Sequence, residues 1–190
     1  AAETTTTAAS TTTEEAKTTT TTTAKTEPEL PKIDFGYYLQ SDNTIYIYNY
    51  HGKDKNVIVP EYIGDYPVTS IMLPLMPDSY NEGSGTVARM GTEIETVTLP
   101  KTIISYQLHD YCPFRTIKSY SVDPENEYMT SVDGVIYSKN MTVLDLYPPA
   151  KEGEFTIPDE VMIIGDGAFS DCVGLTTVNI GSNVKIIGGC

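Results

Sequence analysis

The stretch that decides the fold is residues 157–180, which read IPDEVMIIGDGAFSDCVGLTTVNI. Counted from Pro158, apolar side chains recur every three or four residues, apart from the adjacent pair Ala168 and Phe169, and end with one interval of two: Val161, Ile164, Ala168, Phe169, Cys172, Leu175, Val178 and Ile180. Gly181 then takes the place of Pro158, 23 residues further on. The pattern has the form of one structural repeat that starts again at its end.

A second copy of this frame starts at Pro100. Its apolar positions are Ile103, Tyr106, Tyr111, Phe114, Ile117, Tyr120 and Val122. Asp123 then stands 23 residues after Pro100. Two separate units of the same length indicate an internal repeat, and sequence periods of this size are typical of solenoid proteins.

The spacing of each unit predicts its local structure. Apolar residues spaced three and then two apart predict a bend that enters a short strand, with its last two apolar side chains on one face. We therefore expect residues 97–99, 120–122, 155–157 and 178–180 to be neighbouring strands of one parallel sheet. The residues that follow each Pro or Gly are predicted to form an irregular or helical return. Phe169 is predicted to be a core anchor of this return, beneath Leu175 and Val178.

The stretch resembles the BspA-like leucine-rich repeats of bacterial surface and secreted proteins, whose pattern is I-P-x-x-V-x-x-I-G-x-x-A-F-x-x-C-x-x-L-x-x-V-x-I. Residues 126–158 resemble the hairpin insertion of that family, and so does the entry segment at residues 44–71. The resemblance implies a β-rich leucine-rich-repeat solenoid of the α/β type, with β-hairpin insertions and a role in binding or adhesion. Residues 72–93 depart from the pattern, and the unit after Pro100 lacks the Ile-Gly and Ala-Phe pairs.

Two hairpins are predicted from alternating apolar residues around turn signals. Strands at 35–39 and 44–50 flank Gln40-Ser41-Asp42-Asn43, and Val135–Tyr137 should pair with Val143–Tyr147 after the turn at Asp133-Gly134. The repeat domain is assigned to residues 32–190. We expect the array to continue, or to be capped, beyond Cys190, because a terminal solenoid repeat needs a polar cap.

The N-terminal segment has a composition unlike the rest of the chain. Residues 1–26 contain 14 Thr, six Ala, one Ser, three Glu and two Lys, and this leaves too little apolar surface to offset the entropy of folding. We expect residues 1–31 to be a disordered, Thr-rich linker. Such tracts are typical of extracellular proteins, so an extracellular or cell-surface location is predicted.

Charge and hydropathy argue against two classes of partner. The net charge of −14 disfavours binding to nucleic acid and to anionic membranes, because like charges repel. The sequence has no apolar run of 18 residues, so no membrane insertion is expected. The chain is expected to be a monomer.

Catalytic and metal-binding patterns are weak. His109 and Cys112 could form half of a site, but zinc needs about four ligands, and a nucleophilic dyad needs a third group to orient its base. Cys172 fits a packing role, and the scattered acidic residues lack the alternation of a calcium loop. We therefore expect no enzyme activity, no cofactor and no bound metal.

Candidate ligand-binding residues come from the outward positions of the predicted strands. One row is Ile58, Thr98, Ser121, Thr156 and Asn179, and a second row is Thr96, Ser119 and Thr177. Tyr46, Tyr48 and Tyr50 alternate with Ile45 and Ile47, so one of these two sets should face outward, and tyrosine rings are suited to protein or glycan contacts. The leading hypothesis is an extracellular module that binds a protein or a glycan. The alternative is a non-catalytic structural spacer in a larger secreted protein.

Overall fold

A computed structural model describes residues 31–76, 94–108 and 116–189. These residues form short strands joined by turns and contain no helix. Most of the predicted linker 1–31 lies outside the described residues. So do His109, Tyr111, Cys112, Phe114 and Cys190.

The N-terminal half contains seven strands. They are β1 (Phe35–Leu39), β2 (Ile45–Tyr50), β3 (Asn56–Ile58), β4 (Tyr62–Ile63), β5 (Tyr66–Met76), β6 (Thr96–Leu99) and β7 (Ser105–Leu108). The β1–β2 pair is the predicted N-terminal hairpin, with Leu39 opposite Ile45. Strand β2 continues into a parallel array with β5 and β7.

The C-terminal half contains eight strands. They are β8 (Ser119–Val122), β9 (Met129–Val132), β10 (Val135–Ser138), β11 (Val143–Leu146), β12 (Gly153–Thr156), β13 (Ile163–Ile164), β14 (Leu175–Asn179) and β15 (Ile186–Ile187). The second predicted hairpin is confirmed as the antiparallel pair of β10 and β11. Parallel pairing then runs from β11 through β13 to β15.

The prediction that four repeat strands share one sheet is wrong. Strands β6 and β8 pair in parallel in a three-stranded sheet with β3, whereas β12 and β14 form a separate parallel pair. Pairing within each sheet follows the predicted frame, since Thr98 lies opposite Ser121 and Thr156 opposite Asn179. The repeat therefore sets the register of each pair, but the sheet is interrupted between β8 and β12.

The hairpin of β9 and β10 explains the interruption. Its turn lies on the edge of β8, where the Tyr120 amide donates to the Gly134 carbonyl at 2.9 Å. A Cβ atom at Gly134 would lie 2.7 Å from the Ser119 Oγ, and Gly134 has a φ of +83°, so glycine is required at this close approach. The edge that β12 would need is thus already occupied.

The returns also differ from the prediction. Where irregular or helical segments were expected, the described residues form the second set of strands, β7, β13 and β15. In β7 the half-buried Tyr106 and Leu108 alternate with the exposed Ser105 and Gln107, as extended backbone requires.

The apolar interior consists of two adjoining clusters. The first is built from β2, β3, β5, β6 and β8, and the second surrounds Tyr147, Val161 and Ile164. Phe169 is a half-buried part of the second cluster and lies against Tyr147 and Phe155, at centroid distances of 5.3 and 6.2 Å. The predicted inward position of Phe169 is supported. Its ring contacts are with Tyr147 and Phe155, and the predicted neighbours Leu175 and Val178 pack against the same cluster. Cys172 packs against the same cluster.

Candidate functional site

Three tyrosines on the β1–β2 hairpin form an aromatic surface, which we call the tyrosine shelf: Tyr38, Tyr46 and Tyr48. Cross-strand pairing places Tyr38 opposite Tyr46. Ile45 and Ile47, between the tyrosines in sequence, are fully buried in the first cluster. The alternation of strand side chains therefore turns the tyrosine set outward, as the sequence pattern allowed.

The three rings pack against one another. Tyr38 lies between the other two, with ring centroids 5.1 Å from Tyr46 and 6.3 Å from Tyr48. Tyr38 and Tyr48 remain 52% and 40% exposed, whereas Tyr46 is 5% exposed. The shelf thus presents two accessible rings held beside a covered third.

Gly36 makes room for one of the exposed rings. A Cβ atom at Gly36 would lie 2.8 Å from the Tyr48 Cε2 and would also overlap the Asn49 side chain. Glycine at this position lets the Tyr48 ring lie close to the β1 backbone.

Polar side chains border the shelf. The Tyr46 hydroxyl donates to the Gln107 Oε1 at 3.2 Å, and this bond connects β2 to β7. Gln40 donates through Nε2 to Thr44 at 2.9 Å and to the Ser70 Oγ at 3.1 Å. Burial, followed by the neighbouring Tyr38, raises the pKa of Tyr46, so its hydroxyl stays protonated as a donor.

Tyr50 does not belong to this surface. A register shift in β2 after Ile47 places Tyr50 in the first apolar cluster, where its ring lies 5.0 Å from Phe35. Its hydroxyl accepts a hydrogen bond from the Asp54 amide at 3.3 Å. The tyrosines on this face are therefore Tyr38, Tyr46 and Tyr48, of which Tyr46 is covered. Tyr38 was not predicted, because the predicted loop at residues 40–43 would pair it with Ile45, one residue away from its observed partner Tyr46.

The outward polar row exists as two separate ladders. The first ladder lies on β3, β6 and β8 and consists of Asn56, Ile58, Thr96, Thr98, Ser119 and Ser121. Thr96, Thr98 and Ser119 are half-buried, while Ser121 is exposed and Ile58 is 73% exposed. The Thr96 hydroxyl donates to the Asn56 Oδ1 at 2.8 Å.

The second ladder lies on β12 and β14 and consists of Glu154, Thr156, Thr177 and Asn179. All four residues are exposed. The Asn179 amide donates to the Thr156 hydroxyl at 3.2 Å and also bonds Glu154. A ligand on one ladder would therefore not extend onto the other along a continuous sheet.

Charged residues lie at one end of the first ladder. Glu95 accepts hydrogen bonds from Lys55 at 2.9 Å and from Lys118 at 3.0 Å, and these bonds lower its pKa. The three side chains reach across the same three strands and neutralise one another in part. The centre of the first ladder therefore consists of short, uncharged side chains and Ile58.

Metal sites and membrane-spanning helices are two further features that would define a site. Across residues 31–76, 94–108 and 116–189, no group of three or more His, Cys, Asp or Glu side chains is arranged to hold a metal ion. The same residues include no helix with the length and apolar character needed to span a membrane.

Comparisons with protein-family models and with curated proteins give no match. Similar solved structures include a leucine-rich repeat protein from Eubacterium ventriosum, with 16% identity, a TM-score of 0.47 and coverage of 83% of this chain and 60% of that one. A leucine-rich cell surface protein from Faecalibacterium prausnitzii has 22% identity, a TM-score of 0.48 and coverage of 86% and 46%. A leucine-rich repeat protein from Bacteroides capillosus has 19% identity, a TM-score of 0.46 and coverage of 80% and 99%.

The matched region spans 60% and 46% of the lengths of the first two of these proteins. The structural neighbours are thus bacterial leucine-rich repeat proteins at low identity. At these identities and TM-scores, their activities and partners are not transferred to this chain.

Proposed function

We propose that this chain is a non-catalytic binding module of a secreted or cell-surface protein, which recognises an extracellular protein or glycan. The observation that carries the proposal is the tyrosine shelf, in which the exposed ring of Tyr38 packs between the exposed ring of Tyr48 and the buried ring of Tyr46. Tyrosine is enriched at interface hot spots because its ring supplies a large contact area and its hydroxyl a hydrogen bond. The shelf also lies on paired strands, and a rigid support reduces the entropy lost on binding.

The wider organisation belongs to the same proposal. In this proposal, residues 32–190 are a BspA-like leucine-rich-repeat solenoid with hairpin insertions, and residues 1–31 are its Thr-rich linker. The Thr-rich composition of residues 1–26 supports an extracellular location. The module acts as a monomer without a cofactor.

The first ladder is a second candidate surface, because Ile58 and Ser121 lie exposed on a flat three-stranded sheet. Binding there would be spread over several short side chains. In the spacer alternative, neither surface has a ligand.

The experiment screens the full chain against immobilised extracellular-matrix proteins and glycans, then repeats the positive reactions with two double variants. Tyr38→Ala with Tyr48→Ala should weaken binding at least about tenfold, as expected for a hot spot. Ile58→Lys with Ser121→Lys should leave it unchanged. The reverse result would move the site to the first ladder, and no binding in the complete screen would favour the spacer.

A matched control is available on the same protein. Tyr62 and Tyr128 are 54% and 51% exposed and lie outside the shelf. Tyr62→Ala with Tyr128→Ala removes as much exposed aromatic surface, so it should leave binding intact. An equal loss in this control would show that general stickiness of tyrosine, rather than the shelf, causes the binding.

A further inference from the structure

We infer that the ligand of the tyrosine shelf is a neutral oligosaccharide, an inference that rests on the proposed function and specifies the chemical class of its ligand. A sugar ring has an apolar face of C–H groups and a rim of hydroxyls. The shelf offers apolar contact at the partly exposed rings of Tyr38 and Tyr48, which stack on each other. The amide and hydroxyl groups of Gln107, Gln40 and Ser70 lie on the Tyr46 side of the shelf.

The polar groups around the shelf retain hydrogen-bonding capacity. Gln107 is exposed, and its bond to the Tyr46 hydroxyl uses the amide oxygen, so the amide nitrogen can donate to a ligand hydroxyl. Gln40 uses its amide nitrogen towards Thr44 and Ser70, which leaves its carbonyl oxygen as an acceptor. A donor and an acceptor are therefore available on the Tyr46 side of the shelf, and sugar hydroxyls can bond with both.

The shelf is held in one arrangement before a ligand arrives. Tyr46 is fixed by its bond across to β7, Tyr38 lies between two rings, and Tyr48 lies over Gly36. A ligand would therefore lose little affinity to ordering of these side chains.

The charges of the shelf and of the whole chain favour a neutral oligosaccharide over an acidic one. The shelf and its border, made of Tyr38, Tyr46, Tyr48, Gln40, Ser70 and Gln107, carry no formal charge. The whole chain has a net charge of −14. Acidic polysaccharides would be repelled by the protein as a whole, and the shelf contains no cation to offset that repulsion.

The test uses isothermal titration of the full chain with maltohexaose, cellohexaose, xylohexaose, mannohexaose and, as the acidic probe, a galacturonic acid hexamer. We expect at least one neutral hexasaccharide to bind with a Kd of about 0.1–1 mM, which is usual for a shallow site that forms few contacts. Tyr38→Ala or Tyr48→Ala should weaken that binding at least about tenfold. Gln107→Ala should weaken it less, and Tyr62→Ala should have no effect.

Circular dichroism and the Tm of each variant establish that it is folded. The inference is overturned if no neutral hexasaccharide binds, if the two shelf variants bind as the unaltered chain does, or if the acidic hexamer binds equally well. A protein ligand that depends on Tyr38 and Tyr48, found together with no glycan binding, would overturn the glycan inference and leave the proposed function intact. Glycan binding that survives both shelf substitutions would refute the shelf as the site.

Discussion

Asn126 is a fully buried polar side chain whose bonds tie two parts of the chain together. Its Nδ2 donates to the carbonyl oxygens of Pro100 at 3.1 Å and Ile103 at 2.8 Å. Its Oδ1 accepts from the amides of Tyr128 at 2.8 Å and Met129 at 2.9 Å. The side chain thereby joins the turn after β6 to the start of the hairpin insertion, and every hydrogen-bonding atom of its amide is used.

At the residue scale, we predict that Asn126→Ala lowers the free energy of unfolding by about 3–5 kcal/mol. The substitution leaves several buried backbone groups without partners, each of which costs about 1–3 kcal/mol. Asn126→Asp should also destabilise, because a carboxylate cannot donate to the two carbonyls. Urea denaturation measures the change, and Asn140→Ala, at an exposed turn, is the control. A loss below about 1 kcal/mol for Asn126→Ala would contradict the bonding described.

At the scale of the element, Asp145 on β11 connects the two halves of the molecule. Burial raises its pKa from 3.8 to about 6, and a hydrogen bond from Tyr106 on β7 opposes that rise. Burial also raises the pKa of Tyr106, with the charge of Asp145 adding to the effect. Strand β7 is thus linked to β11 through a side-chain pair.

Asp145 predicts a pH dependence of stability. Its folded pKa lies above its unfolded value, so its contribution is most favourable below pH 4 and is lost as the pH rises through about 6. Asp145→Asn keeps an acceptor for Tyr106 and removes the titration. Between pH 4 and pH 7, the variant should gain about 1–2 kcal/mol relative to the unaltered chain, after allowance for partial solvent screening.

Thermal unfolding of both proteins across that pH range measures the difference, in which the titration of other groups cancels to first order. Tyr106→Phe removes the bond that lowers the Asp145 pKa, so the loss of stability should move to higher pH. A difference between Asp145→Asn and the unaltered chain that stays constant with pH would show that Asp145 is not held in the environment described.

At the scale of the whole molecule, β10 belongs to both apolar clusters. Ile136 packs in the first cluster, whereas Val135 and Tyr137 pack in the second, and all three are essentially inaccessible to solvent. A strand buried on both faces couples the two clusters, because its displacement would expose apolar surface in each.

We therefore predict that the described halves unfold in one transition and that Ile136→Ala destabilises both. The expected cost is about 2–5 kcal/mol, the range for a large aliphatic side chain truncated in a core. Hydrogen exchange should show reduced protection in β2 and in β13 alike. Val132→Ala, on the same hairpin but 43% exposed, should change neither strand. Loss of protection confined to one half after Ile136→Ala would disprove the coupling.

The sequence by itself determined what depends on neighbours along the chain. The repeat positions around Val97, Tyr120 and Val178 predicted strands and their pairing frames, because each frame reflects a local alternation of apolar and polar residues. Both hairpins were predicted for the same reason, from alternating apolar residues beside turn signals. The turn at Asp133 and Gly134, whose φ values are 49° and 83°, was also predicted, and it connects β9 to β10. Alternation also predicted that the tyrosines Tyr46 and Tyr48 lie on the opposite face of β2 from Ile45 and Ile47, but not which of the two sets faces the core.

Only the tertiary structure decided how those elements were assembled. The repeat pattern favoured one sheet, but the turn at Gly134 occupies the edge of β8 and separates the two ladders. A register shift in β2 moved Tyr50 into the core, and strand pairing brought Tyr38 beside Tyr46 and Tyr48. Competition for a strand edge and a register shift depend on contacts between residues far apart in the chain, which the local pattern of apolar residues does not record.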